Sequence, residues 1–157
     1  MTLSRREKMA ERKYQKYIVE GYNLGNIKRP PGPGLDWRKT IVNLDDNRVK
    51  GAFLSSFVWY TNIDDPPGPN SNSSHTHDFD EILGFAGSDW ERPYDLNAKL
   101  EFWMDDEKYI LTKSCMVFVP KGLKHCPLKI LKCDRPFFHF DMVSEPGVTR
   151  LTRNEIA

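Results

Sequence analysis

The sequence predicts an all-β fold: one barrel or sandwich of short strands, preceded by a short N-terminal helical arm. Three observations carry this. From about residue 38, runs of β-branched and aromatic residues recur, separated by turn-forming gaps. A partial helical stripe lies before them, and no internal repeat is evident. A chain of 157 residues can bury one sizeable core. The expected organisation is therefore an arm over 1–37, a barrel over 38–145 and a tail over 146–157.

The arm opens with Ser4-x-x-Glu7, a capping-box pattern, and Met9, Tyr14, Tyr17 and Ile18 make a partial stripe. A helix is expected over 4–20. It is basic, with Arg5, Arg6, Lys8, Arg12, Lys13 and Lys16 against Glu7 and Glu11. This reads as a solvated face on an arm that packs on the barrel or on a partner subunit. A single helix is not a helix-turn-helix, so a DNA-binding regulator is not supported. The segment Lys28-Arg-Pro-Pro-Gly-Pro-Gly34 reads as a stiff, extended linker.

Strands are expected at 39–43, 52–61, 75–86, 99–104, 108–112, 115–119, 125–131 and 136–142, with Asp105-Asp-Glu-Lys108 as a tight turn. Phe53-Leu-Ser-Ser-Phe-Val-Trp-Tyr60 is apolar on both faces, and so is Phe137-Phe-His-Phe-Asp-Met142. A free barrel wall is polar outside. The arm or a second subunit is therefore expected to cover these outer faces, and a homodimer is the simplest account. The loop 65–74 feeds into His75 and is expected near the barrel mouth. The stretch 87–97 reads equally as an entry-shaping segment or a surface loop.

Net charge is +1 and the chain has three cysteines. The charge balance points to neither nucleic acid nor an anionic membrane as a partner. No apolar run is long enough to span a bilayer, and no signal-peptide core follows the basic start. An odd set of cysteines without framework spacing reads as free thiols in a reducing, cytoplasmic setting. Cys126 directly follows His125 and is expected to face away from it.

Two short patterns hold three of the four histidines: His75-Thr-His77-Asp-Phe-Asp-Glu81, and Pro120-Lys-Gly122-Leu-Lys-His125. Together they offer three imidazoles and a carboxylate, a natural set for one divalent transition metal. Alternate residues of a strand share a face, so His75, His77, Phe79 and Glu81 would point inward and Asp78 and Asp80 outward. Gly122 is expected to adopt a backbone angle that other residues disfavour. A metallo-β-lactamase pattern would need a histidine where Asp80 stands. A structural zinc site would prefer Cys-x-x-Cys pairs, which Cys115, Cys126 and Cys133 do not form. Buried core histidines with ordinary hydrogen bonds are the plain alternative.

The two patterns resemble the two signature motifs of the cupins. His75, His77 and Glu81 match the ligand positions of the first, and Pro120, Gly122 and His125 match the second. The motifs cover about residues 70–130. Several glycines depart from the pattern: the leading Gly of the first motif is absent, its closing Gly is one place early at Gly87, and Ser114 replaces the leading Gly of the second. Lys129 stands where the second motif ends in Asn. The resemblance implies a jelly-roll β-barrel (a double-stranded β-helix) of the RmlC-like kind.

Three imidazoles and one carboxylate leave two open positions on an octahedral ion. Such a site suits Fe, Mn, Ni or Co and tolerates Zn or Cu. The expected function is a metal-dependent enzyme on a small oxygenated metabolite, with dioxygenase, isomerase or lyase/decarboxylase chemistry. The alternative is a non-catalytic metal or small-ligand binding protein. Candidate acid/base residues are His139, Glu101 and Tyr60, each dependent on which strand face it occupies. For His139 the rival inward set is Phe138, Phe140 and Met142.

Overall fold

The computed structural model describes residues 14–20, 38–61 and 73–148. Most of the helix expected over 4–20 lies outside these residues. Its described end holds one 3-10 turn, Gln15–Tyr17, and Ile18 is already extended. The β-branched pair Ile18-Val19 favours extended backbone, so no helical turn reaches residue 20. The linker over 28–34, most of the 65–74 loop and the tail beyond 148 also lie outside the described residues.

The β region forms β1 (Arg38–Leu44), β2 (Phe53–Tyr60), β3 (Glu81–Gly87), β4 (Asp95–Met104), β5 (Glu107–Lys113), β6 (Cys115–Val119), β7 (His125–Cys133) and β8 (Phe137–Pro146). They build a five-stranded sheet ordered β1-β2-β8-β3-β6 and a three-stranded sheet ordered β5-β4-β7. Every pairing is antiparallel. After β3 the chain makes the β4–β5 hairpin in the three-stranded sheet and then alternates, with β6 in the larger sheet, β7 in the smaller and β8 back in the larger, which is consistent with a jelly roll.

Alternation along each strand fills the space between the sheets. Leu54, Val58 and Tyr60 of β2, Leu83 and Phe85 of β3, Leu96, Leu100 and Phe102 of β4, and Phe137 of β8 are buried. Full burial of such a side chain contributes about 1.5–3 kcal/mol. Asp105, at φ +53°, makes the two-residue turn that joins β4 to β5 in the register Met104↔Glu107. At the end of β3, a Cβ on Gly87 would stand 2.0 Å from the Asp95 carbonyl oxygen. Only glycine lets the chain turn there from one sheet into the other.

Two expected elements differ. Strand 75–86 is a true strand only from Glu81. Over 75–80 the backbone bonds elsewhere: His75 exchanges two hydrogen bonds with His125 (3.0 and 2.9 Å), and the His77 carbonyl accepts from Gly122 N–H (2.8 Å). The Asp80 carboxylate accepts from Lys121 N–H (2.8 Å). These bonds knit the segment to the β6–β7 connection instead of a ladder. The stretch 87–97 is not all loop: β4 begins at Asp95, and Asn97 takes φ +52° where the β4–β5 register shifts.

The outer face of the five-stranded sheet is apolar. Phe53, Phe57, Met116, Phe118 and Met142 are exposed on it. Phe57 packs edge-on against Phe138 and Phe140, and Trp59 against Phe138. The described part of the arm reaches one corner of this face, where Tyr17 and Val19 line a shallow groove of about 250 Å³ with Val42, Leu44, Ser55 and Phe57.

Candidate metal centre

Despite the missing ladder, burial alternates over 75–81. His75, His77, Phe79 and Glu81 are inside, whereas Thr76, Asp78 and Asp80 are exposed. The hydrogen bonds to His125 and Gly122 hold the segment extended, so the two-residue period survives. Gly122 takes φ +80°, the left-handed turn that returns the chain from β6 into β7. That turn presents His125 to the same place.

His75, His77 and His125 converge there. Their ring centroids lie 4.4–5.2 Å apart. One nitrogen from each lies within 4.8 Å of the others, a spacing that could hold a metal ion. Glu81, 1% exposed, joins them. Its Oε2 is 3.3 Å from His125 Nε2 and 3.8 Å from His77 Nε2. His77 stacks on Phe79 at 4.6 Å, which fixes the ring plane.

The backbone sets the tautomers. His75 Nδ1 donates to the Ser73 carbonyl at 2.7 Å, and His125 Nδ1 donates to the Leu123 carbonyl at 3.1 Å. Each histidine is thus tied to the carbonyl two residues before it. With the proton on Nδ1, Nε2 is left as a lone-pair donor. Such bonds to the second nitrogen are the usual way a metal-binding imidazole is oriented. His125 Nε2 is buried and makes no hydrogen bond among the described residues. Oriented imidazole nitrogens beside a buried carboxylate fit a divalent transition metal.

The acid/base candidates separate. His139 faces inward with Asp141, while Phe138, Phe140 and Met142 face outward. His139 Nδ1 donates to the Gly84 carbonyl (2.9 Å), and the ring stacks on Phe85 at 4.8 Å. Tyr60 is buried beside it, stacked on Phe137. The register pairs Glu81 with Val143 and Phe85 with His139, so four residues separate the two rungs. That is about 13 Å along the strand. His139 and Tyr60 lie deeper on the wall that carries Glu81.

Glu101 sits on the outer face of β4, between buried Leu100 and Phe102. It accepts from Trp103 Nε1 (2.9 Å) and lies 3.6 Å from Lys129 and 4.0 Å from Lys108. The Trp103 hydrogen bond and the two ammonium groups hold its carboxyl below the usual range. This placement gives no support to a role at the metal centre. It also explains Lys129, which balances Glu101 on the outside. Asp141 shares the parity of His139 and is buried with it, whereas nothing in the sequence signals the carbonyl clamps on His75 and His125.

Cys115, Cys126 and Cys133 are free thiols. Cys126 is half-buried and packs against the apolar core. Among the described residues no helix is long and apolar enough to cross a membrane.

No protein-family model matches the chain, and no curated protein sequence matches it. Solved structures similar to it include an RmlC-like cupin from Shewanella frigidimarina, at 12% identity over 70% of this chain and 77% of that one (TM-score 0.38). A sugar phosphate isomerase from a cupin superfamily, from Silicibacter pomeroyi, is 16% identical over 71% of this chain and 62% of that one (TM-score 0.45). An oxalate oxidase in complex with the substrate analogue glycolate is 13% identical over 91% and 67% (TM-score 0.49). Two of these three are named as cupins. At such identities the likeness says nothing of activity.

Proposed function

We propose that this chain is a metal-binding cupin in which His75, His77, Glu81 and His125 hold one divalent transition metal. The observation that carries the reading is the convergence of three histidines and a buried carboxylate from two distant segments. The donor set suits Fe, Mn, Ni or Co and accommodates Zn or Cu. When bound, the ion would supply Lewis-acid activation of an oxygen-bearing ligand, or dioxygen chemistry if it is iron.

The leading functional reading is a metal-dependent enzyme on a small oxygenated metabolite, of oxygenase, isomerase or lyase type. The chain's own residues support it in three ways. Ser73 and Leu123 carbonyls orient two imidazoles before any ion arrives. The apolar walls around Phe79, Leu54 and Val143 exclude water from the Glu81 side. His139, oriented by its Nδ1 bond to the Gly84 carbonyl, is the chain's candidate for proton transfer to the far end of a bound metabolite. A non-catalytic metal or ligand binder is the second reading. It is favoured by the outward Glu101 and by the distance of about 13 Å along the strand from Glu81 to His139.

The exposed aromatic face of the five-stranded sheet supports a homodimer. Five exposed side chains with their half-buried neighbours form a continuous apolar patch of the kind that a stable interface, at ~800 Å² per partner, buries. The free thiols are in keeping with a reducing, cytoplasmic setting.

Elemental analysis of untagged protein beside a His77→Ala/Glu81→Ala variant tests the metal reading. Near-stoichiometric metal in the parent and its loss in the variant is the expected result. Absence of metal from both, even after reconstitution, overturns it.

A further inference from the structure

The far end of the molecule carries a basic groove of about 610 Å³, lined by Arg92, Lys99, Lys113, Lys132 and Arg135 against only two carboxylates, Asp95 and Asp134. The whole chain is nearly neutral at +1, so this concentration of cations is local. The groove lies on the outer face of the three-stranded sheet. On β4 the metal end is marked by Met104↔His125 and the groove by Lys99↔Lys132, five residues away. That is about 17 Å along the strand, on the opposite face.

Two features make it more than a scatter of surface lysines. First, Asp89, 8% exposed, receives both guanidinium groups on one oxygen: Arg92 donates from Nε and Nη2 (3.1 and 2.9 Å), and Arg135 Nη1 lies at 3.0 Å. One carboxylate thus holds two arginines side by side; Arg92 also lies 3.8 Å from Asp95, so the excess positive charge of the groove rests on its lysines. Second, Lys99 stands directly across the ladder from Lys132. Like charges opposite one another destabilise a sheet. Lys132 is met by Asp134 at 2.6 Å, but Lys99 and Lys113 have no ion pair among the described residues.

We infer that this groove is a second ligand site, separate from the metal centre, for a small phosphorylated molecule with at least two negative charges. Planar guanidinium forks match phosphate oxygens, and the lysines supply point charges. The volume lies in the small-ligand range of roughly 300–1,000 Å³. The lining carries no aromatic side chain for base stacking. At the next outward rung Glu101 lies against Lys108 and Lys129, which interrupts the run of unpaired lysines. A nucleic-acid strand would need a longer track.

The test is calorimetric titration of the full chain with inorganic pyrophosphate at constant ionic strength. Saturable one-site binding is expected, weakened tenfold or more in Lys99→Gln/Arg135→Gln. Lys99→Gln alone, which removes no ion pair and relieves the repulsion with Lys132, is expected to weaken it at least threefold with a melting temperature no lower than the parent's. His77→Ala/Glu81→Ala is expected to bind pyrophosphate as the parent does. No saturable heat, equal binding in the basic variants, or loss of binding in the metal-site variant would each overturn the proposal, the last by assigning the heat to metal chelation. Tenfold tighter binding of a 20-nucleotide single strand, with a steep salt dependence, would overturn it in favour of nucleic acid.

Discussion

Replacing Gly87 by alanine isolates the close approach on which the passage between the two sheets depends. The added methyl would meet the Asp95 carbonyl oxygen at 2.0 Å and the Leu96 Cα at 3.2 Å. Ordinary contact begins near 3.4 Å, so the backbones must part by more than 1 Å. Neither side is free to yield. Gly87 is paired to Phe137 at the end of β3, and Asp95 is bonded to Arg92 O at the start of β4. Overpacking against well-fixed neighbours costs typically 1–3 kcal/mol, and a backbone-to-backbone clash belongs at the upper end, about 3 kcal/mol. For a chain of this size that lowers the melting temperature by roughly 6–12 °C. Gly51→Ala is the control: its φ is +85° but no atom lies within 4 Å. It carries only the left-handed backbone cost of about 1–2 kcal/mol, partly offset by lower unfolded-state entropy. Thermal and urea unfolding of both variants would measure the difference. A Gly87→Ala protein as stable as Gly51→Ala would refute the argument that the crossover needs this glycine for space.

Glu81→Gln keeps the volume but removes the charge, and is expected to lower metal affinity at least tenfold, about 1.4 kcal/mol, in competition with a chelating dye. Phe57→Lys/Phe118→Lys puts charge on the outer face and is expected to convert the proposed homodimer to a monomer by sedimentation velocity beside the parent. A monomeric parent would refute the dimer, and a dimeric variant would move the interface elsewhere. Burial raises the thiols of Cys115 and Cys133 above the usual range, so both are expected to alkylate more slowly than glutathione at pH 8 and to accelerate only in more alkaline buffer. The Arg92 hydrogen bonds, with Arg135 nearby, lower the Asp89 carboxyl. Its contribution is therefore present above the ordinary aspartate range and lost as pH falls through the lowered value. Asp89→Asn is expected to melt lower than the parent at pH 7 and to approach it in strong acid.

The sequence by itself determined the barrel class, most strand positions and the identity of the histidine–carboxylate cluster. These are local signals: two-residue alternation puts His75, His77 and Glu81 on one side whether or not a ladder forms, and Gly122 needs its positive φ wherever the turn lies. Tertiary structure alone decided three further matters. It drew 75–80 out of the strand, because the partners of that backbone, His125 and Gly122, lie more than forty residues away. It chose the parity of β8, turning His139 inward, because both faces of that strand carry large apolar side chains and only the packed sheet distinguishes them. On β4 the alternation of Leu96, Ala98, Leu100 and Phe102 with Asp95, Asn97 and Lys99 already agrees with an outward Glu101. It also set Arg135 beside Arg92 on Asp89 and brought Lys99 into the same groove, since side chains on separate segments share a groove only after the sheet has brought those segments together.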